Sequence, residues 1–285
     1  MDENLDVTQH HSVYPAIRLE THASTKTYRG KVVLVTGASR GIGEDVARHY
    51  ALAGAAVVLV ARHLPSLEQA REAILRDAPD AQILALAADV TDWVRAEEVV
   101  AETVERFGRL DVLVANAGAS TPMTARLGEK DPVGWWATFE VNVRGVFNFV
   151  RAAIAHLERA HGYVLAMASG SAQLRFPHAS DYGISKHALN RLVEYVVTEY
   201  PAVKAFAVHP GVVDTQLSRG SGLEFDKPDP TELAACTMLH LTSGRADWLS
   251  GRYVCSNWDL GDVEREWKDR IVAQNGLVNK LHIPR

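Results

Sequence analysis

Seven short apolar segments, rich in Val, Leu, Ile and Ala, alternate with amphipathic helical segments along most of this chain. Such an alternation is typical of a parallel sheet with helices on both faces. A chain of 285 residues can bury the core of one domain of this kind. The pattern predicts an α/β fold with a single doubly wound parallel sheet, whose strands lie near residues 31–36, 56–61, 82–87, 111–115, 162–168, 202–209 and 251–255.

The two ends of the chain lie outside this alternation. Residues 1–29 show little periodicity and predict either a surface strap or a frayed arm. Residues 261–285 follow the last strand and contain a charged helical pattern at residues 262–274. We therefore expect an N-terminal extension (1–29), one sheet domain (30–260) and a C-terminal extension (261–285).

A glycine-rich loop joins the first predicted strand to the helix that is predicted over residues 42–52. Its glycines stand at positions 37, 41 and 43. Glycine lets the backbone turn sharply and approach a pyrophosphate, which then lies at the positive N-terminal end of the helix. The spacing is Gly-x-x-x-Gly-x-Gly, which differs from the Gly-x-Gly-x-x-Gly of many dinucleotide folds, so this loop needs support from the rest of the chain.

Tyr182 and Lys186 form the second informative pattern. Apolar residues recur with helical periodicity over residues 181–199, which places the two side chains on one face of a helix. An ammonium about 4 Å from a phenolate is worth roughly 4 kcal/mol at an effective dielectric of about 20, enough to bring the phenol pKa from about 10 toward 7. Tyr182 is therefore a candidate general acid or base. The alternative is a packed tyrosine beside a solvated lysine.

Two further polar residues are candidates for the same site. Ser169 follows the apolar segment 163–168, so its hydroxyl is expected at the carboxyl edge of the sheet, where open α/β folds bind ligands. Ser171 is a rival, and the thirteen-residue spacing to Tyr182 favours Ser169. Asn142 lies in a Phe-rich helical segment, where a buried amide needs hydrogen-bond partners; a merely structural asparagine is the alternative.

These motifs, in this order, resemble the short-chain dehydrogenase/reductase family over about residues 30–257. The segments 249–254 and 257–259 are similar to those of its fungal members. The resemblance implies a Rossmann-like sheet and a nicotinamide cofactor. The implied cofactor contacts are Gly37, Ser39, Arg40, Gly41, Ile42, Gly43, Asp89, Val90, Asn116, Ala117, Gly118, Tyr182, Lys186, Pro210, Gly211, Val213 and Thr215.

The same resemblance implies a catalytic set of Asn142, Ser169, Tyr182 and Lys186. In such an enzyme Tyr182 exchanges a proton with the substrate oxygen, and Ser169 hydrogen-bonds that oxygen. Lys186 lowers the pKa of Tyr182 and orients the ribose. Asn142 is expected to hold a water that links Lys186 to solvent.

The end of the second predicted strand bears on the choice between NADP and NAD. An acidic residue there would accept hydrogen bonds from the ribose of NAD, but position 61 is Ala and position 62 is Arg. Arg62 and Arg40 could hold a 2'-phosphate, so NADP is expected and NAD is the less favoured cofactor. The alternative is that both arginines are solvated surface residues.

Composition excludes several other classes. A net charge of −5, from 30 basic and 35 acidic residues, argues against nucleic-acid binding. Cys236 and Cys255 are too few for a disulfide framework and lie in no metal-ligand spacing, so both are expected to be buried thiols and no metal is expected. The acidic N-terminus and the absence of a long apolar run predict a cytoplasmic protein without a membrane span.

The helical segments at residues 132–159 and 181–199 predict self-association. The first carries more aromatic side chains than one face against a sheet needs, and members of the resembled family commonly pair through these helices. A homodimer or homotetramer is therefore expected. The aromatic residues are Trp135, Trp136, Phe139, Phe147 and Phe149.

The expected reaction is hydride transfer between NADP(H) and a ketone or aldehyde, or the corresponding alcohol. The candidate pocket residues are mostly apolar, which favours an apolar or aromatic carbonyl substrate, and residues 216–230 are expected to form a mobile cover. A cofactor-binding regulatory protein without turnover, and a lyase or epimerase that uses the cofactor internally, are the alternatives. The pocket candidates are Thr121, Met123, Leu174, Phe176, His178, Leu217 and Phe225.

Overall fold

The core of the molecule is one sheet in which every strand runs parallel to its neighbours. The computed structural model describes residues 4–222 and 225–283. The strands are β1 (Val32–Thr36), β2 (Ala56–Ala61), β3 (Ile83–Ala87), β4 (Val112–Ala115), β5 (Tyr163–Met167), β6 (Lys204–His209) and β7 (Arg252–Cys255). Their spatial order is β3-β2-β1-β4-β5-β6-β7.

Helices connect successive strands and cover the sheet. They are α1 (Leu19–Ala23), α2 (Gly41–Leu52), α3 (Leu64–Asp77), α4 (Trp93–Phe107), α5 (Pro132–Phe139), α6 (Gly145–Ala160), α7 (Ser180–Glu199), α8 (Gln216–Gly220), α9 (Thr231–Leu241), α10 (Leu260–Asp262) and α11 (Lys268–Ala273). None of the helices in the described residues is both long and apolar enough to cross a membrane.

The strand order reverses between β1 and β4, which creates the place for a binding site. β1 pairs with β2 on one side and with β4 on the other, and all of its residues are buried. A strand that is buried on both faces must be apolar throughout, which explains the run Val32-Val33-Leu34-Val35. Because the crossovers diverge at this reversal, a crevice opens at the carboxyl ends of β1 and β4.

The α/β class and the doubly wound parallel sheet that the sequence predicts are confirmed. Each observed strand lies within two residues of its predicted bounds. Two differences are local. The segment Gln216–Gly220, part of the expected mobile cover, forms a short helix that Thr215 caps, and Leu223 and Glu224 of that cover lie outside the described residues. The helical segment around Asn142 contains a π-helical turn, Glu140–Arg144.

The N-terminal segment is docked on the domain from residue 4 onward. The Tyr14 hydroxyl donates to the carbonyl oxygen of Trp258 at 2.7 Å, and Gln9 forms an antiparallel bridge with Trp258. Ile17 and Tyr28 are buried in the core. Of the two forms expected for residues 1–29, the described part is a strap rather than a frayed arm. The boundaries at residues 30 and 260 stay a prediction.

Candidate active site

A cavity of about 1350 Å³ lies at the carboxyl edge of the sheet. A volume of this size can hold a dinucleotide together with a small substrate. All of the predicted cofactor contacts line it, Arg62 included, and so do Ser169, Tyr182 and Lys186. Of the predicted catalytic and cofactor-binding residues, Asn142 alone is absent from the wall of the cavity. The structure therefore brings together residues that lie as far apart in the chain as Gly37 and Thr215.

The glycine loop forms a cradle that side chains would fill. A Cβ atom at Gly43 would lie 2.3 Å from the carbonyl oxygen of Gly37 and 2.5 Å from the side-chain nitrogen of Asn116. Glycine is therefore required where α2 starts. The residues of the first turn of α2, Gly41, Ile42 and Gly43, face the cavity, so the positive end of the helix is available to a pyrophosphate. These residues fit a nicotinamide dinucleotide.

Thr36 and Asn116 lock the ends of β1 and β4 together. The Thr36 hydroxyl oxygen accepts hydrogen bonds from the backbone N–H groups of Asn116 (3.0 Å) and Ala117 (3.1 Å). The Asn116 side chain donates to the carbonyl oxygen of Thr36 at 2.8 Å. Since the Asn116 amide nitrogen is bonded to the loop itself, its main contribution is to hold the shape of the cradle.

Ser169, Tyr182 and Lys186 meet at the ends of β5 and α7. The Tyr182 hydroxyl is hydrogen-bonded to Ser169, and the Ser169 hydroxyl oxygen also accepts the Ser171 N–H at 3.1 Å. The Lys186 Nζ atom donates to the carbonyl oxygen of Met167 at 2.7 Å and lies 5.5 Å from the centre of the Tyr182 ring. Ser169, rather than its rival Ser171, therefore contacts the phenol.

The pKa of Tyr182 shifts in the opposite direction to the one that the Tyr-Lys spacing predicts. Burial raises the pKa of this phenol, and the hydrogen bond from Ser169 offsets the rise only in part. Burial also lowers the pKa of Lys186 to about 8. The predicted shift requires the Lys186 ammonium to lie about 4 Å from the phenolate oxygen of Tyr182 and to outweigh burial. In the structure the ammonium is directed at a backbone carbonyl, and burial dominates for both groups.

Asn142 holds a loop in place behind the cavity wall. It lies in the π-helical turn Glu140–Arg144 and is fully buried. Its side-chain oxygen accepts the Ala119 N–H at 2.7 Å, and its side-chain nitrogen donates to Ala119 O and Ser185 Oγ, both at 2.9 Å. These bonds tie the Ala119 loop to α7. The water that the family resemblance implies here stays a prediction.

Asp229 clamps the loop that is expected to hold the nicotinamide. Its carboxylate accepts hydrogen bonds from the Val212 N–H at 2.7 Å and from Asn257 at 3.0 Å, and His11 of the N-terminal strap contacts it at 2.7 Å. Gly211 lies in the left-handed region, with φ of 92°. A Cβ atom there would lie 2.5 Å from the carboxylate, so this position also requires glycine.

The wall of the cavity beyond Arg62 contains polar residues that sequence patterns did not single out. His63 and Ser66, at the end of β2 and the start of α3, line it together with Arg62 and with Arg40, the N-cap residue of α2. Arg40 and Arg62 are exposed, and the first turn of α3 contains no acidic residue. An anion at this end of the cavity would therefore meet two guanidinium groups and no carboxylate from α3.

The candidate substrate residues are mostly where they were expected. Met123, Leu174, Phe176, His178, Leu217 and Phe225 line the cavity. Thr121 does not, because its hydroxyl donates to the buried Asp181 carboxylate at 2.6 Å and faces the protein interior. His209, at the end of β6, also lines the cavity; burial lowers the pKa of its imidazole to about 4, so it is neutral at physiological pH.

Residues 31–224 match the model of the short chain dehydrogenase family. This chain belongs to the short-chain dehydrogenase family. Short chain dehydrogenase mpl6 of Monascus purpureus and short chain dehydrogenase citE of Monascus ruber are each 40% identical over 285 residues, which cover 95% of this chain and 94% of theirs. The family and the fungal type that the sequence resembles are thereby confirmed, and the chain is an NAD(P)-dependent oxidoreductase.

Solved structures lead to the same family. The KRED1-Pglu enzyme is 31% identical with a TM-score of 0.70, over 79% of this chain and 100% of its own. The alcohol dehydrogenase of the archaeon Thermococcus sibiricus, complexed with 5-hydroxy-NADP, is 31% identical with a TM-score of 0.71, over 79% and 95%. Carveol dehydrogenase of Mycobacterium avium, in complex with NAD, shares the fold at 23% identity, with a TM-score of 0.72 over 80% and 96%. Both dinucleotides thus occur among the neighbours of this short-chain dehydrogenase.

A buried ion pair lies next to Tyr182 in this short-chain dehydrogenase, and no sequence motif indicated it. Lys130 Nζ donates to Asp181 at 2.6 Å and to the Thr121 hydroxyl at 2.9 Å, and Thr138 donates to the same carboxylate at 3.2 Å. Burial opposes ionisation of Asp181, but the bonds from Lys130 and Thr121 outweigh it and hold its pKa below the usual value. The pair anchors the start of α7, and hence Tyr182, to the loop before α5.

We expect Asp181→Asn to lower the free energy of unfolding by about 3 kcal/mol, because it leaves the buried Lys130 ammonium without its counter-charge. Urea unfolding of the parent and the variant measures this difference. Adding Lys130→Met should restore much of the loss. Glu68→Gln, which breaks the exposed pair with Arg71, is the matched control and should have little effect. An unchanged midpoint for Asp181→Asn would contradict the expectation.

Proposed function

We propose that this short-chain dehydrogenase is an NADP(H)-dependent reductase of an apolar or aromatic ketone or aldehyde. The observation that carries the proposal is the hydrogen bond between the Tyr182 hydroxyl and Ser169, formed in the wall of the dinucleotide cavity with Lys186 beside it. A phenol and a hydroxyl that converge in this way can bind one carbonyl oxygen, which is the geometry that an acid catalyst requires.

Tyr182, Ser169 and Lys186 have different roles in the proposed reduction. A nicotinamide supplies the hydride when it is bound. Because burial raises the pKa of Tyr182, its hydroxyl is protonated at neutral pH and can give a proton to the developing alkoxide. Ser169 hydrogen-bonds the same oxygen. Lys186 is buried, and its pKa of about 8 leaves it largely protonated at neutral pH, so it adds positive potential near the phenol and favours the phenolate that remains.

The protonation state of Tyr182 suits the reductive step. Burial disfavours the phenolate that would act as the base in alcohol oxidation, so the neutral phenol, which donates a proton in reduction, is the dominant form at neutral pH. A catalyst does not set the equilibrium of the reaction, so the assignment of reduction rests on NADP(H) as the cofactor.

The cofactor assignment rests on the end of the cavity at Arg40 and Arg62. Ala61 provides no carboxylate to accept hydrogen bonds from an adenosine ribose, whereas the two guanidinium groups can bind a 2'-phosphate. The Thermococcus sibiricus alcohol dehydrogenase, whose structure holds 5-hydroxy-NADP, is consistent with this choice.

The substrate class rests on the apolar side chains that line the same cavity as the Ser169–Tyr182 pair. Met123, Leu174, Phe176, Leu217 and Phe225 contribute thioether, aliphatic and aromatic surface to the cavity. Such a lining favours a hydrophobic carbonyl compound over a sugar phosphate, because a phosphate would need charged partners.

Steady-state assays of the purified full-length chain test this function. NADPH and a panel of apolar and aromatic ketones and aldehydes are supplied, and the loss of reduced-nicotinamide absorbance and the alcohol product are both measured. We expect turnover of at least one compound, with NADPH favoured over NADH. Tight cofactor binding without turnover in either direction would indicate a regulatory protein instead. Product formation without net cofactor oxidation would indicate a lyase or an epimerase.

We also propose that the enzyme is a homodimer or homotetramer that pairs through α5, α6 and α7. Trp136 and Phe147 remain 57% and 53% exposed, whereas Phe149 is buried in the core. On α7, Ile184 and Tyr195 are likewise exposed. Burying such aromatic surface against a second copy is favourable, since each large side chain removed from water contributes about 2 kcal/mol.

Light scattering at micromolar concentration should therefore give a mass of two or four times the 31.2 kDa of one chain. Trp136→Glu combined with Phe147→Glu should shift this mass toward the monomer, because two charges would enter the apolar contact. Leu64→Glu, at an exposed apolar position on α3, is the control and should leave the mass unchanged. A parent mass near 31.2 kDa would refute the assembly.

A further inference from the structure

Three metal-ligating side chains meet between α2 and α9, away from the catalytic cavity. His49 lies in the last turn of α2, and Glu232 and Cys236 lie one turn apart on α9. Each of the three offers one ligand atom, and these atoms all lie within 4.8 Å of one another. None of these three described residues lines the dinucleotide cavity, so the proposed reduction makes no use of them.

His49 is oriented as a metal-binding histidine. Its Nδ1 atom donates to the carbonyl oxygen of Asp45 at 2.7 Å, which places the ring's free lone pair on Nε2. The side chain is fully buried, and Nε2 has no hydrogen-bond partner within the part of the chain that the structure describes. A buried acceptor without a partner is costly. A backbone carbonyl on the other ring nitrogen is the arrangement that fixes the ring of a metal-bound histidine.

Glu232 and Cys236 supply the other two ligand atoms beside His49. The nearer carboxylate oxygen of Glu232 lies 3.9 Å from Nε2, and this side chain is half exposed, so it can rotate toward an ion. Cys236 is fully buried, and burial raises the pKa of its thiol to about 12, a rise that the hydrogen bond from the Leu19 N–H offsets only in part, so a metal ion itself has to displace the thiol proton. One ligand is thus movable and two are held in place by the core.

A second cavity, of about 490 Å³, borders this cluster at Glu232 but not at His49 or Cys236. Glu232 forms part of its wall, together with Val13, Arg18, Leu19 and Glu20. The cavity has room for a water molecule next to the carboxylate.

We propose that His49, Glu232 and Cys236 bind a zinc ion, with a water from the adjacent cavity as the fourth ligand. Imidazole, thiolate and carboxylate together match the ligands of zinc, whereas calcium and magnesium take oxygen ligands only. In a tetrahedral zinc site with bonds of about 2.0 to 2.3 Å, the ligand atoms lie about 3.6 Å apart. The three ligand atoms therefore need to move about 1 Å closer together. The Cys236 thiol loses its proton to solvent as the zinc–sulfur bond forms.

Such a site would join parts of the fold that are distant in sequence. Its ion would link the last turn of α2, a helix that begins at the glycine loop, to α9 and to the N-terminal strap through Leu19. Binding of the ion to the folded chain stabilises that chain by mass action. The expected consequence is a higher melting temperature in the presence of zinc.

Cobalt substitution tests the site without reference to catalysis. The purified full-length chain is stripped with a chelator and titrated with Co²⁺ alone. We expect one Co²⁺ per chain and a near-ultraviolet charge-transfer band, which arises only when a thiolate binds the metal. Zn²⁺ should then abolish the band by displacement, since zinc binds thiolate sites more tightly than cobalt.

Three variants decide whether these residues hold the ion. Cys236→Ser should abolish the band, and Glu232→Gln should weaken Co²⁺ binding by at least about 10-fold. Cys255→Ser, at the other buried cysteine, should keep both the band and the affinity. Because Glu232 is exposed, its variant folds even if the Cys236 variant does not. The absence of a band in the parent, a band that survives Cys236→Ser, or unchanged affinity in Glu232→Gln would overturn the proposal.

Discussion

Replacing Tyr182 by Phe is expected to lower kcat/KM for carbonyl reduction by about 100-fold or more. The phenol lies in the cavity wall beside Ser169, and its hydroxyl is the proton donor in the proposed reaction. Phenylalanine keeps the ring and its packing but cannot donate a proton. NADP(H) binding should change little, because the glycine loop and the arginines that are proposed to hold the dinucleotide are untouched. Steady-state kinetics and cofactor titration measure the two quantities separately.

Tyr195→Phe is the matched control for that experiment. Tyr195 lies on the same helix, α7, but its side chain is 59% exposed and does not line the cavity. Loss of its hydroxyl should leave kcat/KM within about twofold of the parent. If Tyr182→Phe also stayed within a few fold of the parent, another group would have to supply the proton and the assignment of Tyr182 would be wrong.

The parts of this structure that sequence patterns predicted depend on local rules. Strands that are buried on both faces must be apolar, so β1 and β2 can be recognised in the sequence as short runs of Val and Leu. Glycine is required at position 43 because a Cβ atom there would lie 2.3 Å from the carbonyl oxygen of Gly37, and a requirement of this kind leaves a recognisable motif. Since Tyr182 and Lys186 lie on one helix, their proximity also follows from spacing alone.

The parts that were not predicted depend on contacts between distant segments. Lys130 and Asp181 are 51 residues apart, and only the packing of α5 against α7 brings their charges together. The cluster of His49, Glu232 and Cys236 was not predicted for the same reason. His49 lies on another helix, 183 positions before Glu232. The direction of the Tyr182 pKa shift was also missed, because burial and the partner of Lys186 cannot be read from a spacing.

The π-helical turn at Asn142 shows a further limit. Helical periodicity indicates which face of a segment is buried, but one additional residue in a turn changes the pattern too little to be detected. That additional residue matters here, since Asn142 lies in this turn and bonds to Ala119 and Ser185 at the same time. The structure therefore assigns Asn142 a contact set that the sequence could not specify.

The choice of NADP over NAD makes the second large prediction. Arg62→Asp should weaken NADP binding by about 2 to 3 kcal/mol, which is about 30-fold or more, because it removes a charge-assisted hydrogen bond and adds repulsion toward the 2'-phosphate. NAD binding should change far less, and it should improve if the new carboxylate accepts hydrogen bonds from the ribose. The preference between the two cofactors is then reversed.

Titration of both cofactors against the parent, Arg62→Asp and Arg76→Asp tests this reversal. Arg76→Asp makes the same change of charge on α3 but outside the cavity, so it measures the long-range electrostatic effect alone. We expect Arg76→Asp to change the dissociation constant of NADP by less than about threefold. Arg40→Ala should give an intermediate loss, since Arg40 is the second guanidinium at this end of the cavity. A dissociation constant for NADP that is the same in Arg62→Asp as in the parent would mean that Arg62 is a solvated surface residue and that the phosphate, if it is bound, lies elsewhere.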